Sequence, residues 1–224
     1  MIPRWRPPPL TPTDTRTARP STRGSHTMPV CGRVVAAVAA LTETGADRST
    51  PCPEWTVREL AQHLLCTARR FHRLLVASLA GRPEPVLLGS DLADLNRAHV
   101  IGAPWAPLDE IILAFAASAH EFEQRAREHW DHGPFQRGGV SVGEALGIAA
   151  FEWHVHAWDL RRAAGQDYYP AHAEVLRQAW DSSVPHLRID LTGDPWAAVL
   201  SSAGRSVLQV VVDPVAPSVV PHDE

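Results

Sequence analysis

Phe151-Glu152-Trp153-His154-Val155-His156-Ala157-Trp158-Asp159-Leu160 reads as one helix carrying a carboxylate and an imidazole four residues apart. At about 100° per residue, Glu152 and His156 fall within about 40° of each other on one face. With Glu152 at zero on the helical wheel, Ala145, Ile148, Ala149, His156, Asp159 and Ala163 lie within about 60° of it. Small neighbours there are expected to leave room for a metal and a ligand. A solvated acid–imidazole pair would be worth only a few tenths of a kcal/mol. Trp153, Trp158 and Leu160 leave this helix few solvated positions, so the pair is expected to face the interior. His154 falls on the opposite side and is expected to be exposed.

Ser141-Val142-Gly143-Glu144 has the form of a capping box and opens this helix. The same form recurs in Thr56-Val57-Arg58-Glu59, where Trp55 is placed to pack over the first turn. The helix that starts there runs to about Leu79, with a buried stripe of Leu60, Leu64, Ala68, Phe71 and Leu75. His63 sits at the edge of that stripe and can point into a bundle, whereas His72 lies about 180° away and is expected to be solvated. Taken alone, His63 reads more readily as a hydrogen-bonded core histidine than as a ligand. Together, His63, Glu152 and His156 offer N, O, N ligation of one divalent metal, with positions left for water or substrate. The donor set suits zinc, and also non-haem Fe(II) or nickel.

The rest of the chain frames these two helices. Its 224 residues, 45% of them apolar, suffice for one domain with a sizeable core. Twenty-one basic against 25 acidic residues give no electrostatic footprint for nucleic acid or a membrane surface. Cys31, Cys52 and Cys66 lack Cys-x-x-Cys spacing, so neither a disulfide framework nor a thiolate zinc site is implied, and a reducing cytoplasm is the expected home. No apolar run is long enough to span a membrane, and the first 28 residues do not read as a signal peptide. Residues 1–28, dense in Pro, Arg and Thr, are expected to be a disordered extension.

A first helix is expected from Val30 to about Thr44, stopped by Gly45, with Val34, Val35, Val38 and Leu41 on its apolar side. Residues 81–106 read as a long connection with a short helix around Asp91–Arg97. A further helix begins near Leu108 and carries Ile111, Ile112, Phe115, Ala119 and Phe122 towards Trp130; among the histidines there, only His120 is expected near the core. Short helices follow from His172 to about Ser182 and from Asp194-Pro195, with Gly204 past the end. Val207–Val212 is strand-like, which leaves an edge addition, an oligomer contact such as a homodimer, or a loose tail open. The expected architecture is all-α: a bundle with short C-terminal helices over residues 29–205 and a tail over 206–224.

Thr50-Pro51-Cys52-Pro53-Glu54-Trp55-Thr56-Val57-Arg58-Glu59-Leu60, followed by His63-Leu64, together with Glu152-x-x-x-His156-Ala157-Trp158-Asp159-Leu160, strongly resembles the maleylpyruvate isomerase-like family. Those are mycothiol-dependent metal proteins of the DinB-like superfamily. The resemblance implies an up-down-down-up four-helix bundle, with the metal held by His63, Glu152 and His156, the residues the spacing selects. It also implies mycothiol as the thiol cofactor. Family members known as isomerases add a sizeable C-terminal α/β domain that helps to bind substrate, and this chain, with about sixty residues after Gly165, departs from that pattern, so the resemblance implies the scaffold and metal site more than maleylpyruvate as substrate.

Three function classes follow. One is an enzyme that uses a small-molecule thiol to isomerise, or transfer onto, a small electrophilic substrate. A second is a metal-dependent hydrolase. The third is a non-catalytic metal-binding bundle, against which the absence of a four-ligand, cysteine-rich set argues. Asp159, one turn beyond His156, is expected either to accept from that histidine's other ring nitrogen or to bind a helix end or Arg162. Cys52 is either a thiol at the metal mouth or a small residue in a Pro-framed loop. Arg58, Arg161 and Arg205 are the candidate arginines for an anionic cofactor.

Overall fold

The computed structural model describes residues 30–39, 41–87, 90–183 and 193–205. The expected N-terminal extension and the strand-like Val207–Val212 run lie outside these residues. Seven helices occur among the described residues: α1 Val30–Val38, α2 Val57–Leu79, α3 Ser90–Ile101, α4 Leu108–Glu128, α5 Val142–Ala163, α6 Ala173–Ser183 and α7 Pro195–Ser202. No strand is present among them, only two isolated bridges. Helices α1 and α2 each pack against both α4 and α5, which makes the four-helix bundle, while α6 and α7 cover α5 from outside and α3 lies on α2.

Both capping boxes form. Thr56 accepts from the Glu59 amide while the Glu59 carboxylate accepts from the Thr56 amide at 2.8 Å, and Ser141 and Glu144 repeat the exchange. Each satisfies two of the amides that a helix start leaves without partners. The expected stripes on α2 and α4 are buried throughout. Their centre is Trp153, 0% exposed, whose ring meets Phe115, Phe122 and Phe71 edge-on at centroid distances of 5.7, 6.1 and 6.3 Å. Gly143 lets the start of α5 pass Trp130, because a Cβ there would come within 2.5 Å of the indole.

α1 ends at Val38 instead of reaching Thr44, and a short 3-10 turn, Glu43–Gly45, follows. The reason is Glu43. Its carboxylate accepts from the Leu108 amide at 2.8 Å and pairs with Arg58, so it supplies the acceptor that Pro107 cannot offer at the start of α4. Gly45 has no positive φ and is not a left-handed stop. His120 is exposed, one residue off the buried Ala119 register, whereas His132 is half-buried with Nε2 3.3 Å from the Ser78 carbonyl. His72, expected in solvent, is also half-buried, 3.4 Å from Glu121 of α4.

His154 corrects the sequence reading most clearly. It is 2% exposed and hydrogen-bonded through Nδ1 to the Tyr168 hydroxyl, because α6 and α7 bury the face of α5 that a bare bundle would leave in water. Burial pushes its pKa down to about 4 and pushes the Tyr168 phenol up. An unfolded histidine titrates near 6.5, so between about pH 6.5 and 4 the unfolded chain binds the extra proton. Stability is therefore complete above pH 6.5 and falls as pH drops towards 4, by on the order of 3 kcal/mol from this group. Urea unfolding at pH 7 and pH 4.5 should show a smaller acid loss in His154→Gln than in the wild type; equal losses would rule His154 out as the cause.

Candidate metal centre

The loop before α2 is set by Thr50, whose hydroxyl lies 2.8 Å from the Trp55 carbonyl and accepts from the Cys52 amide at 3.2 Å. A bridge between Ser49 and Thr56 closes it. This places the Trp55 ring over His63, with centroids 4.2 Å apart and planes 37° from parallel. Trp55 thus covers a histidine two turns along, and not only the first turn as the sequence suggests.

His63 from α2 and Glu152 and His156 from α5 converge: one donor atom from each lies within 4.8 Å of the others. His63 Nε2 is 3.2 Å from Glu152 Oε1, and the two imidazoles meet edge-on with centroids 5.0 Å apart. Metal–ligand bonds of about 2.0–2.1 Å at tetrahedral angles separate neighbouring donors by about 3.3 Å, so this pair already has the spacing that one ion requires. His63 is 2% and His156 9% exposed, while the Glu152 side chain keeps 22%. The accessible side of the cluster is therefore at Glu152, beside the half-buried Ile148. Ala145 and Ala149, expected to leave room for a ligand, are instead packed into the core.

Electrostatics favour a charged Glu152 carboxylate facing a neutral His63 imidazole. Burial pushes the His63 pKa down, and it wins over the opposing hydrogen bond from Glu152. For Glu152 burial acts upward, but the hydrogen bond from His63 and the charges around it hold the carboxyl below its ordinary range. His63 Nδ1 is buried with no hydrogen-bond partner among the described residues, so the Trp55 ring and the Glu152 contact at Nε2 hold that imidazole.

His156 is held by its other nitrogen. Nδ1 lies 3.0 Å from Asp159 Oδ2, which leaves Nε2 for the shared centre. Asp159 is fully buried and also receives Arg205, with Nη2 at 2.6 Å from Oδ2 and Nε at 3.2 Å from Oδ1. Of the two sequence options for Asp159, the structure has the contact to His156; in place of a helix end or Arg162 its other partner is Arg205, and Arg162 pairs with the exposed Asp167. Burial acts to raise the Asp159 pKa, and the His156 and Arg205 hydrogen bonds outweigh it, so the carboxyl stays ionised. Cys52 lies within 4.8 Å of His156 and Asp159, but burial pushes its thiol up despite Arg205, which favours a small packed residue over a reactive thiolate.

Of the three candidate arginines, only Arg205 reaches the cluster. Arg58 is taken by Glu43 and the Ala106 carbonyl, and Arg161 by the Ala37 carbonyl. The arginine that sequence reading missed is Arg70. It lies seven residues beyond His63 on the same face of α2, donates to Asn96 of α3 at 2.5 Å, and its charge bears on both His63 and Glu152. The seven-residue spacing was the available signal. A separate cleft of about 200 Å³, lined in part by Leu41, Val57, Ala163 and Gln166, shares none of the three donors.

An all-α, DinB-like four-helix bundle with three inward-facing donors on two of its helices is a class in which such donors serve metal ions. The family model described as the mycothiol maleylpyruvate isomerase N-terminal domain matches residues 28–161, more than half of the chain, and the chain belongs to that family. No curated protein and no solved structure gives a match. No helix among the described residues is long and apolar enough to cross a membrane.

Proposed function

We infer that the protein binds one divalent metal, zinc by preference, through His63 Nε2, a Glu152 oxygen and His156 Nε2, and uses it in thiol chemistry on a small electrophilic substrate. The observation that carries this reading is the convergence of three non-thiolate donors within 4.8 Å of one another, His63 and Glu152 at ligand spacing, with Glu152 the most accessible of the three. Two neutral imidazoles and one carboxylate leave a dipositive ion with net positive charge and at least one position unfilled, as in catalytic sites. When bound, such an ion stabilises a thiolate whose free thiol would have a pKa near 8.5. The family points to mycothiol as that thiol. The reaction class is addition of the thiolate sulfur to an electrophilic carbon, reversible in an isomerase and lasting in an S-transferase.

The chain's own residues bind and orient. His63 and His156 arrive from different helices, so the bundle itself fixes the donor geometry. Trp55 shields His63 from water. Arg70, tied to Asn96, adds positive charge that bears on His63 and Glu152 and favours ligands that carry an anionic group. Cys52, the thiol beside the cluster, is held protonated by burial and is not a ready nucleophile. A hydrolase would need a general base beside the centre, and Asp159 is unsuited because His156 and Arg205 occupy both its oxygens. Free Cys52 and Cys66 agree with a reducing cytoplasm.

Titration of the cobalt-substituted protein with mycothiol and with an alcohol of similar size tests the reading. A thiolate-to-cobalt charge-transfer band is expected with the thiol alone. If no band forms and mycothiol fails to compete for the open position, the thiol reading falls and the hydrolase becomes the better one. Asp159→Asn is expected to weaken metal binding by about ten- to a hundred-fold, the usual cost of losing a carboxylate behind a ligating histidine. Unchanged affinity in a chelator competition would remove Asp159 from the centre.

A further inference from the structure

Arg205 lies beyond the stretch matched by the family model and 46 residues from its partner Asp159. Its position follows from the local sequence. Helix α7 starts with Asp194 accepting from the Trp196 amide and Pro195 in the first turn, and ends in Ala203-Gly204-Arg205. Gly204 adopts φ 74°, a left-handed conformation that glycine takes without penalty. The Gly204 amide then donates to the Ser201 carbonyl and the Arg205 amide to the Leu200 carbonyl, both at 2.9 Å, which is the paired pattern of a Schellman helix stop. This stop turns the chain back on itself. Arg205 Nη1 donates to the Ala203 carbonyl at 2.5 Å, and the remaining edge of the guanidinium, Nε and Nη2, spans both oxygens of Asp159.

The consequence runs through one carboxylate. Asp159 is 0% exposed, and a buried carboxylate needs its lone pairs filled. Arg205 occupies both oxygens from one side, so the direction left for Oδ2 is the one that accepts from His156 Nδ1 at 3.0 Å. An imidazole that donates from Nδ1 presents the Nε2 lone pair. A fork held by two bonds fixes the carboxylate's plane in a way that a point charge does not.

We propose that Arg205 is a positioning residue of the metal centre: through Asp159 it sets the tautomer and orientation of His156, so the C-terminal helices outside the matched family region complete the site. Helices α6 and α7 then have a role besides burying α5, namely to carry a guanidinium back to the end of the bundle where the donors meet. The proposal rests on the metal reading above for its effect on affinity, and its effect on the His156 tautomer is measurable without any metal. A purely structural role, in which Arg205 only pins α7 to α5, would leave that tautomer unchanged.

The experiment uses the full chain as wild type, Arg205→Met, Arg205→Lys, Asp159→Asn and the Asp159→Asn/Arg205→Met double variant. Long-range ¹H–¹⁵N NMR of the metal-free proteins reads the histidine tautomers, and competition with a chromophoric chelator reads zinc affinity. The wild type is expected to hold His156 in the single Nδ1–H form, and Arg205→Met to show a mixture of tautomers. Zinc binding should weaken about ten- to a hundred-fold in Arg205→Met and less in Arg205→Lys. The double variant should bind zinc no more weakly than Asp159→Asn alone, because both changes break one chain of contacts. The proposal is overturned if Arg205→Met keeps a single Nδ1–H tautomer, or if the two losses in affinity add. If Arg205→Met does not fold, Arg205→Lys decides the matter by the same two readouts. A wild type that binds no zinc would sink the metal reading, and the tautomers would still decide the hold of Arg205 on His156.

Discussion

Glu152→Ala is expected to lose zinc affinity by more than the roughly hundred-fold that loss of an outer carboxylate costs, and to be isolated without stoichiometric metal. Glu152 supplies the one negative charge in the donor set. Without it, two neutral imidazoles face a dication in a site that excludes most water, with His63 at 2% and His156 at 9% exposure. Glu152→Gln tests the charge specifically, since it keeps the shape. His63→Ala and His156→Ala are expected to behave like Glu152→Ala, because each removes the only donor that its position offers to the cluster. Elemental analysis of protein purified without added metal reads all four variants. If they keep wild-type metal content, the ion sits elsewhere.

The second large effect concerns the fold that holds these donors. Trp153 lies on the same helix as Glu152 and His156 but points into the aromatic centre formed with Phe71, Phe115 and Phe122. Truncating a fully buried tryptophan removes its transfer energy and leaves a cavity, together about 3–5 kcal/mol. That is a large fraction of the roughly 5–15 kcal/mol by which domains are stable. Trp153→Ala should therefore shift the urea midpoint strongly downward. Trp153→Phe should recover much of it, helped by the fact that the indole Nε1 has no hydrogen-bond partner among the described residues to lose. A cost below about 1 kcal/mol for the alanine variant would mean that the aromatic centre does not organise the bundle.

The two helices that matter were legible because their signals are local. A capping box declares its helix within four residues, and both boxes form as read. The i,i+4 register of Glu152 and His156, and the stripe that places His63, depend only on helical period, and the structure brings all three together. What the sequence withheld depends on elements far apart in the chain. His154 looked solvent-facing because nothing local to α5 announces that α6 and α7 will cover it. Glu43 looked helical because its partner, the Leu108 amide, is 65 residues away. The hold of Arg205 on Asp159 likewise spans two further helices, and only the Gly204 stop before it was visible.

Charge was harder to place than apolar pattern. Arg58, Arg161 and Arg205 were the candidates for an anion, yet Arg58 and Arg161 are spent on the Ala106 and Ala37 carbonyls and on Glu43. A long flexible side chain can reach in many directions, so its end point is set by packing and not by register. Arg70, two turns above His63, is the exception where register would have sufficed.

Where the metal sits is open to direct observation. Crystals of the protein grown with one equivalent of zinc, measured on both sides of the zinc absorption edge, locate the ion by its anomalous signal. One peak is expected, about 2.0–2.2 Å from His63 Nε2, a Glu152 oxygen and His156 Nε2, with no fourth protein donor. A peak bonded to Cys52, a closed set of four protein ligands, or no peak between α2 and α5 would rule out a metal centre at His63, Glu152 and His156.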